Sequence, residues 1–84
     1  EVVLTGLATP LAFYITEIPT ERALLIGSLL LLLIIELINS AVEATVDRIG
    51  LEYHELSGKA KDIASAAVLF GSLLVALTWL LILL

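Results

Sequence analysis

The sequence predicts an all-α fold embedded in a lipid bilayer, and three observations lead there. The 84-residue chain is 61% hydrophobic and only 15% charged, whereas soluble domains hold roughly 45–50% apolar residues. Its mean hydropathy is +1.16. The chain holds three uncharged apolar runs divided by two charge-bearing segments, a short one at 17–22 and a longer one at 36–62. A chain this small, folded in water, buries only about 60% of its surface and would leave many leucines wet. A bilayer removes that cost, so one membrane domain of three transmembrane helices is expected.

The first span is placed at about residues 2–16. Val2 to Thr16 is uncharged but short of the roughly 20 residues that cross a bilayer upright. Pro10 lies inside it, where it removes a backbone hydrogen bond and favours a kink, which a membrane helix tolerates. Glu17-Ile18-Pro19-Thr20-Glu21-Arg22 reads as a tight turn, with Pro19 suited to a helix start and Thr20 to capping the next helix. The second span is placed at about 21–49. It is uncharged from Ala23 to Ile35, and its helical pattern continues through Glu36 to Ile49 and stops at Gly50, a residue that favours the left-handed C-cap. A polar loop at about 50–57 carries Glu52, Tyr53, His54 and Glu55, and Ser57 is the expected cap of a third span at about 58–84. That span has no charge from Ile63 to Leu84 and holds Trp79 near its far end, where interfacial aromatics collect. Arg48, Lys59 and Lys61 flank the second loop and only Arg22 the first, so the second loop is expected to be cytoplasmic.

Several chemistries are excluded at once. With no cysteine there is neither a disulfide framework nor a thiol nucleophile, and catalysis must come from carboxylates, lysine, His54 or hydroxyls. A net charge of −5 leaves no basic footprint for nucleic acid. Ser57-Gly58-Lys59 lacks the upstream glycine and following hydroxyl of a phosphate-binding loop. Lone His54 has no second histidine at metal spacing, and taken alone it reads as a loop residue.

The middle helix carries the anomaly. At about 100° per residue, Glu36, Asn39, Glu43 and Asp47 fall within roughly an 80° arc, with Ser40 beside it. An acidic side chain at the centre of a membrane helix costs on the order of 3 kcal/mol, so such a stripe is expected to meet protein, water, metal or substrate rather than lipid. Interhelical hydrogen bonding, or emergence of the helix from the membrane near Glu43, is the plainer alternative. Along the axis Glu36 lies roughly 10 Å deeper than Glu43, and Asp47 about 6 Å further toward water. A face graded in this way suits joining a water-soluble donor to an amphiphilic acceptor. The shallow carboxylate is fitted to hold Mg²⁺, and the deep one, less well solvated, to accept a proton. Ala60, Ala64, Ala67 and Gly71 are spaced for close helix packing. Ser65 and Ser72 lie near the face of Lys61, where they either line the site or back-bond to their own helix.

The run Glu36-Leu37-Ile38-Asn39-Ser40-Ala41-Val42-Glu43-Ala44-Thr45-Val46-Asp47, followed by Arg48-Ile49-Gly50-Leu51-Glu52-Tyr53-His54-Glu55-Leu56-Ser57-Gly58-Lys59-Ala60-Lys61-Asp62, resembles the signature and cytoplasmic loop of the prokaryotic diacylglycerol kinase family in its Gram-negative form. The resemblance implies a homotrimeric bundle in the bacterial inner membrane, with sites between subunits, that moves the γ-phosphoryl of MgATP to diacylglycerol. It implies Glu36 as general base, Glu43 as ligand of Mg²⁺, and Asn39 and Asp47 as supports. It further implies nucleotide contacts from Glu43, Glu52, Tyr53, His54, Lys61 and Asp62, and lipid contacts from Arg22, Glu36, Ser65 and Trp79. Family members carry an amphipathic surface helix before the first span that supplies a further acidic metal ligand. Glu1 falls where that helix passes into the span, so a protein starting there is expected to show weak or no activity. Undecaprenol kinases share the signature, so a polyprenol is the alternative acceptor. A non-catalytic assembly subunit and a proton pathway along Glu36 and Glu43 are the readings from other classes; Lys61-Asp62 and the lack of broken half-helices speak against the pathway.

Overall fold

The computed structural model describes residues 2–49 and 55–84. They form three helices and, among the described residues, no strand: α1 (Val2–Ile15), α2 (Pro19–Ile49) and α3 (Glu55–Leu83). The result is an elongated bundle of 51 × 20 × 15 Å. α2 is the central helix. It packs α1 on one flank and α3 on the other, while α1 and α3 hardly meet. Helices α2 and α3 are long and apolar enough to cross a bilayer; α1, at 14 residues, rises only about 21 Å.

Both helix starts differ from the sequence expectation by two or three residues. α2 begins at Pro19 rather than at residue 21, because Ile18 already accepts the first intrahelical bond from Arg22 N–H and proline needs no partner at the first helical position. Its start is held by Thr16, not by the expected Thr20. The Thr16 hydroxyl accepts from Ile18 N–H at 3.2 Å and donates to Glu21 Oε1 at 2.6 Å. α3 begins at Glu55 rather than at 58, so Ser57 lies inside its first turn and the last part of the expected 50–57 loop is helical. An acid in the first turn favours this earlier start through the helix dipole. The Gly50 cap lies outside the described residues. α1 runs through Pro10 and ends at Ile15, and Thr16 makes the turn.

The α2–α3 contact is a heptad seam. On α2 the less exposed positions are Leu25, Ser28, Leu32, Ile35, Asn39 and Val42; on α3 they are Ala64, Val68, Gly71, Val75, Thr78 and Ile82. Both sets alternate steps of three and four, the spacing of left-handed antiparallel pairing. Gly71 permits the close approach: a Cβ there would lie 3.0 Å from Ile35 Cδ1 and 3.1 Å from Leu32 Cδ1. Of the small residues expected to pack, Ala60 and Ala64 are half-buried and Gly71 is buried, but Ala67 is exposed, since it falls off the seam. α1 meets α2 through small residues as well, with Thr5, Ala12 and Thr16 buried.

Among the described residues buried hydrophobic side chains are few: Ala12, Leu25, Leu29 and Leu32. Most other large apolar residues, including Leu7, Leu37, Ile63, Phe70 and Leu81, point outward. Monomeric soluble proteins rarely expose contiguous apolar patches beyond a few hundred Å², and a fold that turns its leucines outward along two long helices fits a hydrocarbon solvent.

A polar groove between the second and third helices

The heptad seam has two flanks, and they differ in chemistry. On one flank Ile38, Ala41, Val42, Thr45, Val46 and Ala60 line an apolar hollow of about 390 Å³, with the Thr45 hydroxyl donated back to Ala41 O at 2.8 Å. The acidic stripe of α2 lies on the other. Here Lys61 Nζ donates to Asp47 Oδ1 at 2.6 Å, which ties the polar face of α3 to that of α2. The two side chains are 39% and 63% exposed, so the pair adds little to stability and acts instead to orient the ammonium. Glu43 lies one turn from Asp47 on α2 and is exposed.

Glu36 sits deeper, half-buried, in a hollow of about 220 Å³ that it shares with Val2, Leu33, Leu37 and Ser40. The start of α1 therefore borders Glu36 on one side. Asn39, a polar residue within the seam itself, has a buried amide oxygen with no hydrogen-bond partner among the described residues. Leaving such an acceptor unmet costs about 1–3 kcal/mol.

The register of α3 follows from two contacts. Gly71 lies against Leu32 and Ile35, and Trp79 Nε1 donates to Leu25 O at 3.2 Å. Lys61 and Ser65 then stand level with the Asn39–Glu43 turns of α2, and Trp79 closes the groove at its far end. From Lys61 to Trp79 it runs about 27 Å, the depth of a bilayer's hydrocarbon core.

Of the residues singled out in the sequence, the fold gathers Glu36, Asn39, Glu43, Asp47, Lys61 and Ser65 along this groove. Asp62 is exposed, about 100° around α3 from Lys61 and turned away from the seam. Arg22 is not there. It lies at the α1–α2 turn, where Nε donates to Thr16 O at 2.7 Å, Nη2 donates to Phe13 O at 3.1 Å, and the guanidinium covers the Phe13 ring at 4.6 Å from its centre. These bonds satisfy carbonyls at the end of α1 that the helix leaves open. Thr16 and this clamping by Arg22 escaped the sequence reading; a hydroxyl just past a helix followed by Glu five residues on was the available signal. Glu52, Tyr53 and His54 lie outside the described residues. Among the described residues no three histidine or acidic side chains converge on one point as metal ligands do. Glu43 nonetheless offers the hard oxygen that Mg²⁺ takes, since Mg²⁺ sites often use one or two carboxylates and fill the rest with phosphate and water.

Comparison with known proteins covers almost the whole chain. Residues 1–83 match the family profile described as prokaryotic diacylglycerol kinase. The chain is 51% identical over 77 residues to diacylglycerol kinase of Escherichia coli K12, covering 92% of this chain and 63% of that protein. It is 49% identical over 83 residues to the enzyme so named from Pseudomonas aeruginosa, covering 99% of this chain and 68% of that one. The protein of that name from Haemophilus influenzae is 48% identical over 79 residues. The chain thus spans a little under two thirds of the length of the Escherichia coli relative. A profile match of this extent, with the acidic groove in place, establishes that the chain belongs to the prokaryotic diacylglycerol kinase family.

Proposed function

We propose that this chain forms the membrane core of a lipid kinase that transfers the γ-phosphoryl of MgATP to the free hydroxyl of diacylglycerol, giving phosphatidic acid and ADP. The observation that carries the reading is the depth grading of the groove: a half-buried carboxylate at Glu36, an exposed one at Glu43 and an oriented ammonium at Lys61. The names of the relatives supply the acceptor.

Phosphoryl transfer asks for positioning and for neutralisation of charge on the moving group. Glu36 takes the proton of the lipid hydroxyl as its oxygen forms a bond to the γ-phosphorus, and the bond to the β–γ bridging oxygen breaks toward ADP. Asn39 offers a buried amide next to that event. Asp47 aims Lys61 at the phosphates, and Asp62 with Glu52, Tyr53 and His54 contacts the nucleotide. Glu43 holds Mg²⁺, which when bound neutralises phosphate charge. Ser65 and Trp79 meet the lipid along the groove, and Arg22 meets it from the opposite membrane face. In this reading α1 is a third span, the segment joining α2 to α3 is cytoplasmic, and the working form is a homotrimer in the inner membrane with sites between subunits.

The test is a transfer assay in mixed micelles with MgATP and either diacylglycerol or undecaprenol. Phosphatidic acid is the expected product. Phosphorylation of undecaprenol alone would reassign the acceptor, and transfer to neither lipid by the full-length protein would remove the kinase reading.

A further inference from the structure

Along the membrane-embedded length of α3, Ile63 to Leu84, the side chains able to donate a hydrogen bond are Ser65, Ser72, Thr78 and Trp79. Trp79 is committed to Leu25 O, and Thr78 belongs to the seam. Ser65 stands level with the upper part of the groove. Ser72 is different: it is exposed, follows directly on Gly71, and Gly71 is fixed against Leu32 and Ile35. Ser72 therefore comes about one helical turn, roughly 5 Å, deeper than Glu36. It also lies on the Lys61 side of α3, since residues 61, 65 and 72 fall within about 40° of one another, so it faces the same groove as the acidic stripe. Because side chains tilt toward the start of their own helix and the two helices are antiparallel, Glu36 leans inward and Ser72 leans outward, each toward the other.

The Ser72 hydroxyl donates to Val68 O at 2.9 Å. That carbonyl also serves the backbone N–H of Ser72, four residues on, so the hydroxyl can turn to another acceptor without leaving Val68 O unmet. A diacylglycerol whose free hydroxyl meets Glu36 carries its nearest ester carbonyl beyond two glycerol carbons and the ester oxygen, toward its acyl chains and so deeper in the groove. An ester carbonyl only accepts hydrogen bonds, and at this depth Ser72 is the exposed donor facing the groove.

We propose that Ser72 is a specificity-determining residue that donates a hydrogen bond to an ester carbonyl of the lipid acceptor, so that the groove distinguishes acylglycerols from alcohols without esters. This rests on the kinase reading. The test compares a diacylglycerol with its dialkyl ether analogue, which keeps the hydroxyl and chains but has no carbonyl, in full-length protein with MgATP. With Ser72→Ala, KM for the diacylglycerol is expected to rise about five-fold, the size of one net hydrogen bond, with kcat and the ether kinetics unchanged. Ser72→Thr should retain the preference. Equal changes for both lipids, or none for either, overturn the assignment. Failure of the unsubstituted protein to phosphorylate either lipid overturns the kinase reading, and this assignment with it.

Discussion

At the Arg22–Trp79 end of the bundle, Arg22, Ser28 and Trp79 are committed to backbone carbonyls of their own chain: Arg22 to Phe13 and Thr16, Ser28 to Leu25 at 2.8 Å, Trp79 to Leu25. At the other end Asp47 and Lys61 are partly exposed, and the bond across the helices joins these two side chains instead of capping a backbone. The first arrangement satisfies the main chain and fixes geometry. The second leaves charge available to something that arrives from water. The same two helices thus supply a fixed end and a receptive end, with Glu36 between them.

That division is tested most sharply by Glu36→Gln, which keeps the shape and one acceptor oxygen but removes the proposed base. It is expected to lower kcat about 10³-fold with the assembly intact by size-exclusion chromatography in detergent. Loss of the assembly together with activity would show that Glu36 belongs to the structural part instead. Next in size is Gly71→Leu at the seam, where the added side chain meets Leu32 and Ile35. Overpacking of this kind costs about 1–3 kcal/mol, read as a lowered midpoint of unfolding in mixed micelles; an unchanged midpoint would mean that the helices do not pack through Gly71. The smallest effect is expected from Asp47→Asn. Removing an exposed ion pair worth up to about 1 kcal/mol should raise the KM for MgATP by as much as five-fold and leave the unfolding midpoint in place. Asp47→Glu should recover part of that loss, and a drop in stability without a change in KM would move Asp47 from the receptive end to the fixed one.

Much of this was legible in the chain. The three helices and the acidic stripe follow from charge spacing alone, because charges in a membrane helix are few and each one is informative. The register between helices was not. In a water-soluble bundle an apolar stripe marks the contact face, but here Leu and Ile cover every face, and the seam is marked by Ser28, Asn39, Ala64, Gly71 and Thr78 among them. For the same reason the position of Ser72 relative to Glu36 needed Gly71 to be placed first. The early starts of α2 and α3 were missed because Thr20 and Ser57 have good capping chemistry in the wrong turn. Thr16 lies one loop earlier, where its partner Glu21 is visible only after the chain has reversed.

Arg22 and Thr16 lock the end of α1 to the beginning of α2, and Val2, at the other end of α1, borders Glu36 and Ser40. Between those two points α1 works as a ruler. Deleting a single residue from Leu7 to Leu11 would turn everything before it by about 100° and draw it about 1.5 Å along the axis, carrying Val2 away from the carboxylate while leaving both composition and apolar length almost unchanged. The length of this helix, and not only its greasiness, thereby decides where its first turn meets Glu36.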